Sequence, residues 1–228
     1  MPRIYIIGTP IGNLEDITLR ALRVLKEADI ILCEDTRVTA RLLLRHGIIG
    51  KKLLTYNEKR SGAQEEKVSE LLQEGKTIAL VTDSGTPGIS DPGTRLVSFA
   101  RKNFKDTVAI VPIPGPAGVT AALSASGISA QQFLFLGFLP HKKGKETIAR
   151  QISEEKRTVV FYESPYRIVK TLALLSARLT TERTIVVAKE LTKIHEEIFS
   201  GTPEEAYVYF QKNPDKVRGE FIVVVSPR

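Results

Sequence analysis

A chain of 228 residues with 42% apolar content is long enough to bury one large core or two small ones, so a globular protein is expected rather than a fibrous or disordered one. A single cysteine, Cys33, excludes an intramolecular disulfide, and three scattered histidines, His46, His141 and His195, supply no metal-ligand cluster, so a cytoplasmic protein without a metal is expected. The formal charge of +7 favours a polyanionic partner, while the short apolar run ending at Gly8 and the lack of about 20 consecutive apolar residues speak against a secretory signal or a membrane span.

Short β-branched runs recur at residues 4–7, 30–33, 53–56, 78–81 and 108–111. The apolar residues between them repeat every three or four positions, which predicts alternating strands and helices. Leu19, Leu22, Leu25 and Ala28 form one helical stripe starting near Thr18, and the segment through Val68 and Leu72 stops at Gly75. Arg37, Arg41 and Arg45, spaced by four, share one face of the helical segment after the second strand.

Residues 112–118 carry Pro112, Pro114 and Pro116, which remove backbone donors, and Gly115 and Gly118, which permit tight turns; they read as a hinge. Strand-like runs resume at 133–136, 159–162, 185–188 and 221–225, with helical patterns around 168–179 and 204–210. Continuous hydrophobic strands imply sheets covered on both faces. The expected fold class is therefore α/β, with two α/β domains, 1–113 and 114–228, meeting at a cleft that holds the active site.

The first strand runs into Gly8-Thr9-Pro10-Ile11-Gly12-Asn13, whose glycine spacing is not that of the dinucleotide fingerprint, and no phosphate-binding G-x-x-x-x-G-K-[ST] or nucleophile-elbow G-x-S-x-G is present. The fourth strand empties into residues 82–93, with three glycines, two prolines and the carboxylates Asp83 and Asp91. Such a loop lets main-chain groups line a pocket at a strand end, where ligands of α/β sheets bind. Glu163, Arg167, Lys189 and Glu190 also follow strands, either as site residues or as ion pairs that start helices.

The opening from Tyr5 to Asn13, the stretch from Ala28 to Arg37, the loop from Val81 to Gly93, the hinge from Ile113 to Thr120, and the stretches from Phe161 to Arg167 and from Ala188 to Glu197 together resemble the ribosomal small-subunit methyltransferase I family of the tetrapyrrole-methylase superfamily. The resemblance implies a homodimer that binds S-adenosylmethionine and methylates the ribose 2′-hydroxyl of a decoding-centre cytidine in small-subunit rRNA, as free RNA or in the assembled subunit. It implies cofactor contacts from Pro10, Asp83, Gly85, Thr86, Gly88, Ile89 and Ser90, from Gly115, Thr120 and Ala121, and from Leu136, Lys189, Glu190, Gly219 and Glu220. Gly85-Thr86-Pro87 stands where the porphyrinoid branch has Gly-Asp-Pro, which favours an RNA substrate over a tetrapyrrole.

Methyl transfer from a sulfonium is an in-line displacement, so placing the oxygen is the main requirement, and a nearby carboxylate or neutral lysine helps. Asp35, Lys189 and Glu190 are the candidates for that role. Arg37, Arg41 and Arg45 form one basic cluster for RNA, and Lys142, Lys143 and Lys145, in the polar segment after Pro140, form another. The rival expectations are a corrinoid or porphyrin methyltransferase of the same fold and a ribosome-assembly factor without turnover.

Overall fold

Arg3–Ile7 (β1), Ile30–Cys33 (β2), Lys52–Thr55 (β3), Ile78–Leu80 (β4) and Ala109–Ile113 (β5) form a parallel sheet in the order β3-β2-β4-β1-β5. The structure, a computed structural model, describes residues 1–57, 61–140 and 144–228, which divide into two compact units, Met1–Ala117 and Gly118–Arg228. Residues 114–117 stay with the first unit because Gly115 packs on Gly8: a Cβ on either glycine would lie 2.8 Å from the other's backbone.

Alternate residues of these strands face opposite sides, and each side has its own helices. Ile7, Ile31, Cys33 and Ala79 pack under Leu19–Glu27 (α1) and Thr36–Arg45 (α2), while Ile4, Ile30, Leu32, Ile78 and Leu80 pack under Ser61–Gln73 (α3) and Thr94–Phe104 (α4). Each fully buried Leu or Ile contributes on the order of 1.5–3 kcal/mol. Helix α1 starts where expected, with Thr18 accepting a hydrogen bond from the Ala21 N–H. The chain leaves β1 and β2 for one face and β4 for the other. Because β4 lies between β2 and β1, this divergence opens a crevice at the carboxyl end of β4.

The second unit contains Gly118–Ser126 (α5), Phe133–Phe138 (β6), Lys145–Glu154 (α6), Thr158–Glu163 (β7), Ile168–Ser176 (α7), Ile185–Lys189 (β8), Glu197–Gly201 (β9), Pro203–Lys212 (α8) and Phe221–Val225 (β10). Its sheet has the order β6-β7-β10-β8-β9; only the β6-β7 pair is parallel. Val159, Phe161, Val187 and Val223 face a core under α6, α7 and α8, and α5 lies against β10 and β7. Gly118 is required there, since a Cβ would meet Ile222 Cδ1 at 2.8 Å. Antiparallel pairing places Lys189 opposite both Glu197 and Phe221, and Phe221 opposite Glu163, so the ends of β7 and β8 and the starts of β9 and β10 share one edge.

Candidate functional site

At the crevice of the first unit, three strand-end loops are joined through their backbones. The Thr9 N–H donates to the Gly85 carbonyl at 2.8 Å, and the Gly85 N–H returns to the Thr9 carbonyl at 3.1 Å. Thr86 Oγ1 donates to the Pro116 carbonyl at 2.9 Å, and the Gly8 N–H donates to the Ile113 carbonyl at 3.3 Å. Thr9, Gly85, Thr86 and Pro116 therefore tie the three loops together, and Pro10 and Gly115, two of the residues expected at the site, are the sequence neighbours of Thr9 and Pro116. Gly85 (φ 84°), Gly88 (φ 83°) and Ser90 (φ 66°) are left-handed, a conformation that costs about 1–2 kcal/mol for a residue with a Cβ. Ile89 and Ser90 are exposed at the tip of this loop.

Asp35 and Asp83 stand at the neighbouring ends of β2 and β4, and the Asp35 N–H donates to Asp83 Oδ1 at 3.1 Å. Asp35 is also the N-cap of α2, accepting from the Arg37 N–H at 2.8 Å, and its Oδ2 pairs with Arg37 Nη2 at 2.6 Å. The Arg37 side chain, reinforced by its N–H, holds the Asp35 carboxyl well below the usual carboxylate range. Glu34 goes the other way: burial, with the Asp83 charge added to it, raises its carboxyl. Glu34 is not among the residues expected from the sequence, although its position at the same strand end is a signal for it.

The edge of the second sheet brings Lys189, Glu190, Gly219 and Glu220 together. The Glu190 N–H donates to the Glu220 carbonyl and the Glu220 N–H to Glu190 Oε1, each at 2.9 Å. Glu190 is left-handed (φ 50°) and its side chain lies over Gly219, where a Cβ would collide with its Cδ. Backbone strain of this kind is held in place by surrounding contacts and concentrates at working sites. Burial opposes ionisation of Glu190, but hydrogen bonds from Lys193 and the Glu220 N–H, with the charges of Lys193 and Lys189, outweigh it and lower its carboxyl. Lys193, three residues on, pairs with Glu190 Oε1 at 2.8 Å and Glu220 Oε2 at 3.1 Å. It too is absent from the expected set, although the spacing i,i+3 is visible in the sequence.

Other expected site residues have different surroundings. Glu163 and Arg167 form a buried ion pair at 2.6 Å; Glu163 also accepts from Thr171 Oγ1 at 2.7 Å, and Arg167 donates to the Leu139 carbonyl at 2.8 Å. They lock the start of α7, the second of the two fates open to them in the sequence. Leu136 packs against the core under α6, α7 and α8. Thr120 is exposed and Ala121 half-buried on α5, in the second unit, whereas Gly115 lies in the first. Arg37, Arg41 and Arg45 are all exposed along one face of α2. Lys142 and Lys143 lie outside the described residues. Lys145 does not continue a polar segment: it begins α6 and lies beside Leu139 and Ala149, because Ile148, Ala149 and Ile152 give this stretch an apolar helical face.

Among the described residues no group of three His, Cys, Asp or Glu side chains could hold a metal, and no helix is long and apolar enough to cross a membrane. Residues 3–207 match the family model of the Tetrapyrrole (Corrin/Porphyrin) Methylases. The chain is 42% identical to the "Ribosomal RNA small subunit methyltransferase I" of Thermotoga maritima, over 99% of both chains. It is 41% identical to the protein of the same name from Escherichia coli O157:H7, over 98% of this chain and 77% of that one. Among solved structures it is similar to the methyltransferase CobJ, with a TM-score of 0.72 at 19% identity over 100% of this chain and 95% of that one. It is also similar to a Thermus thermophilus uroporphyrin-III C-methyltransferase complexed with S-adenosyl homocysteine, with a TM-score of 0.64 at 20% identity over 98% and 97%.

Proposed function

Because the chain belongs to the ribosomal RNA small subunit methyltransferase I family, within the tetrapyrrole (corrin/porphyrin) methylases, we propose that it methylates the ribose 2′-hydroxyl of a decoding-centre cytidine in small-subunit rRNA, with S-adenosylmethionine as cofactor. The observation that carries this reading is the joining of the loops after β1, β4 and β5: Gly85 commits its N–H and carbonyl to Thr9, and the loop beyond it carries the left-handed Gly88 and Ser90 at the carboxyl end of β4. Added Cβ atoms there would occupy the space that a ligand's polar atoms need to reach N–H and C=O groups.

S-adenosylmethionine, when bound, supplies an electrophilic methyl carbon on a sulfonium. Gly85, Thr86, Gly88, Ile89 and Ser90, with Pro10, Asp83 and Gly115, are the residues of the first unit proposed to hold it. In the second unit, Thr120, Ala121, Leu136, Lys189, Glu190, Gly219 and Glu220 complete the proposed set; the contact of Leu136 with the core makes its share the smallest.

The acceptor hydroxyl must be oriented and must lose its proton as the new O–C bond forms. Glu190 suits the orienting role. Its Oε1 is fixed by Lys193 and the Glu220 N–H, and among the described residues no hydrogen bond reaches Oε2, which is left to accept from a ligand hydroxyl. Asp35, tied to Arg37, is proposed to fix α2 and the Asp83 loop rather than to take the proton.

The protein is further proposed to work as a homodimer in the cytoplasm, on rRNA or on the assembled subunit, with Arg37, Arg41, Arg45 and the lysines at 142, 143 and 145 as the basic contacts. The net charge of +7 supports a polyanionic substrate. Incubation with methyl-labelled cofactor and small ribosomal subunits, followed by mapping of the label, tests the reading. Label on a cytidine ribose upholds it. Label only on an offered tetrapyrrole, or none with either substrate, sinks it.

A further inference from the structure

The turn after β7 leads through Ser164, Pro165 and Tyr166 into α7, and a buried network fixes its shape. Besides the ion pair of Glu163 with Arg167, the Ser164 N–H donates to Glu163 Oε1 at 2.8 Å and Arg167 Nε donates to Ser164 Oγ at 3.2 Å. The Ser164 carbonyl accepts from the N–H groups of Arg167 and Ile168, each at 3.0 Å, and Pro165 fixes its own φ. The side chain that this turn presents to solvent is Tyr166, whose ring is 91% exposed.

A second ring stands on the neighbouring loop. Strands β6 and β7 are adjacent and parallel, so they end at one edge, and Arg167 Nη1 ties their two loops through the Leu139 carbonyl at 2.8 Å. Phe138, next to Leu139, is 57% exposed and leans edge-on against the Tyr162 ring, with centroids 5.4 Å apart. Its ring is held in place while much of its surface stays open. Lys189, Glu190 and Glu220 lie at the same edge, since only β10 separates β7 from β8 and neighbouring strands are about 4.8 Å apart.

We infer that Tyr166 and Phe138 form a stacking platform for unpaired bases of the substrate RNA, an inference that rests on the rRNA-methyltransferase reading and adds to it how the strand is kept open. A protein partner needs a contiguous apolar patch, whereas the accessible neighbours of Tyr166 are Ser164 and, in the first turn of α7, Lys170. A nucleobase needs only a flat ring, because it stacks face to face and keeps its polar edges in water. An enzyme that seats one nucleotide of a strand draws it away from its neighbours, and rings on the protein replace the stacking that is lost. The charge of +7 attracts the polyanion, and the rings add affinity that carries no charge.

The test uses the full chain with Tyr166→Phe, Tyr166→Trp, Tyr166→Leu and Phe138→Leu. Binding to small ribosomal subunits is measured between about 50 and 200 mM salt. Loss of a stacked ring weakens single-strand binding by about 5- to 150-fold per base. Tyr166→Leu, which stays apolar but loses the flat face, is expected to bind ~10-fold more weakly, and Phe138→Leu likewise. Both losses should be equal at every salt concentration, because stacking releases no counterions. Tyr166→Phe should bind as the parent does and Tyr166→Trp at least as tightly, since the ring and not the hydroxyl makes the contact. S-adenosylmethionine affinity by calorimetry, melting temperature and sedimentation of the Leu variants should stay parental.

Parental binding by either Leu variant overturns the inference. So does a Tyr166→Phe variant as weak as Tyr166→Leu, which would assign the contact to the hydroxyl, or a smaller salt slope in Tyr166→Leu, which would assign it to a phosphate. Altered sedimentation of Tyr166→Leu would mean that the ring meets a second copy of the chain, and a lowered melting temperature that accounts for the binding loss would make the ring structural; either overturns it too. A parent that binds subunits but places no methyl on them sinks the reading beneath it, while the ring series still judges the platform.

Discussion

Thr9 and Gly85 exchange two backbone hydrogen bonds, at 2.8 and 3.1 Å, across 76 positions of sequence. Thr9 Oγ1 adds a third link to the Thr82 carbonyl at 3.0 Å. The loop after β4 is therefore fixed at Gly85, and beyond that turn Gly88 leaves the backbone without a side chain, where a ligand needs access.

Gly85→Val and Gly88→Val should each abolish S-adenosylmethionine binding while the protein stays folded. A Cβ at Gly85 would find Ile11 Cγ2 at 3.5 Å and one at Gly88 would find Thr94 Oγ1 at 3.4 Å, contacts the fold can absorb. The cost comes from the left-handed backbone, ~1–2 kcal/mol. Calorimetry with the cofactor and a circular dichroism melt read the two effects separately; parental affinity in either variant would move the cofactor away from this loop.

Arg167→Met should lower stability by about 3–5 kcal/mol, because it strands the buried Glu163 carboxylate, whose side chain is 0% exposed. Adding Glu163→Gln should recover a large part, since a neutral amide costs less to bury. Urea unfolding of the single and double variants checks this. A stable single variant that has lost turnover would return Arg167 to the substrate.

The strands of the first sheet are legible in the sequence because Ile30–Cys33 and its neighbours are covered on both faces and read as unbroken apolar runs. Glu197–Gly201 is not legible: as an edge strand it carries only Ile198 and Phe199, too little pattern to register. Helix α4 escapes as well, since Leu96 and Ala100 are its only buried residues. The insertion of β10 between β7 and β8 leaves no trace in chain order, as strand pairing is decided by tertiary packing. In the site, glycines and prolines announce the loops, since their φ requirements are local. The pairing of Glu197 with Lys216, 19 residues away, is invisible in the sequence.

Acid should erase the contribution of Lys193. The Glu190 carboxyl is lowered in the folded protein, so its stabilisation is full above its ordinary value near 4.5 and disappears as pH falls through the depressed one. Lys193→Met removes that pull and leaves burial, which acts in the opposite direction. The parent should exceed the variant by about 1 kcal/mol at neutral pH, and the gap should narrow steadily below about pH 4.5. Urea unfolding at pH 7 and at pH 3.5 measures both gaps. A gap of equal size at the two values would mean that Lys193 acts through its packing and not through Glu190.

The three arginines of α2 share a face but not a chemical state, and RNA binding should tell them apart. Arg37 is committed to Asp35 at 2.6 Å, whereas Arg41 and Arg45 are exposed and make no ion pair among the described residues. A phosphate contact by a free arginine releases counterions, so Arg41→Ala and Arg45→Ala should each weaken binding to small ribosomal subunits and lower the salt slope by about one. Arg37→Ala should change the slope less, because its charge is already offset. Asp35→Asn is the sharper probe. Asparagine caps a helix about as well as aspartate, so α2 should persist while Arg37 is released, and RNA should bind more tightly with a steeper salt dependence. Turnover of that variant should remain within about tenfold of the parent, whereas removal of a general base costs ~100-fold or more. Filter binding across salt and single-turnover methylation of the same subunits give both answers. A slope unchanged by Arg41→Ala and Arg45→Ala together would leave this face as solvated surface, and a collapse of turnover in Asp35→Asn would make Asp35 the base despite its pairing with Arg37.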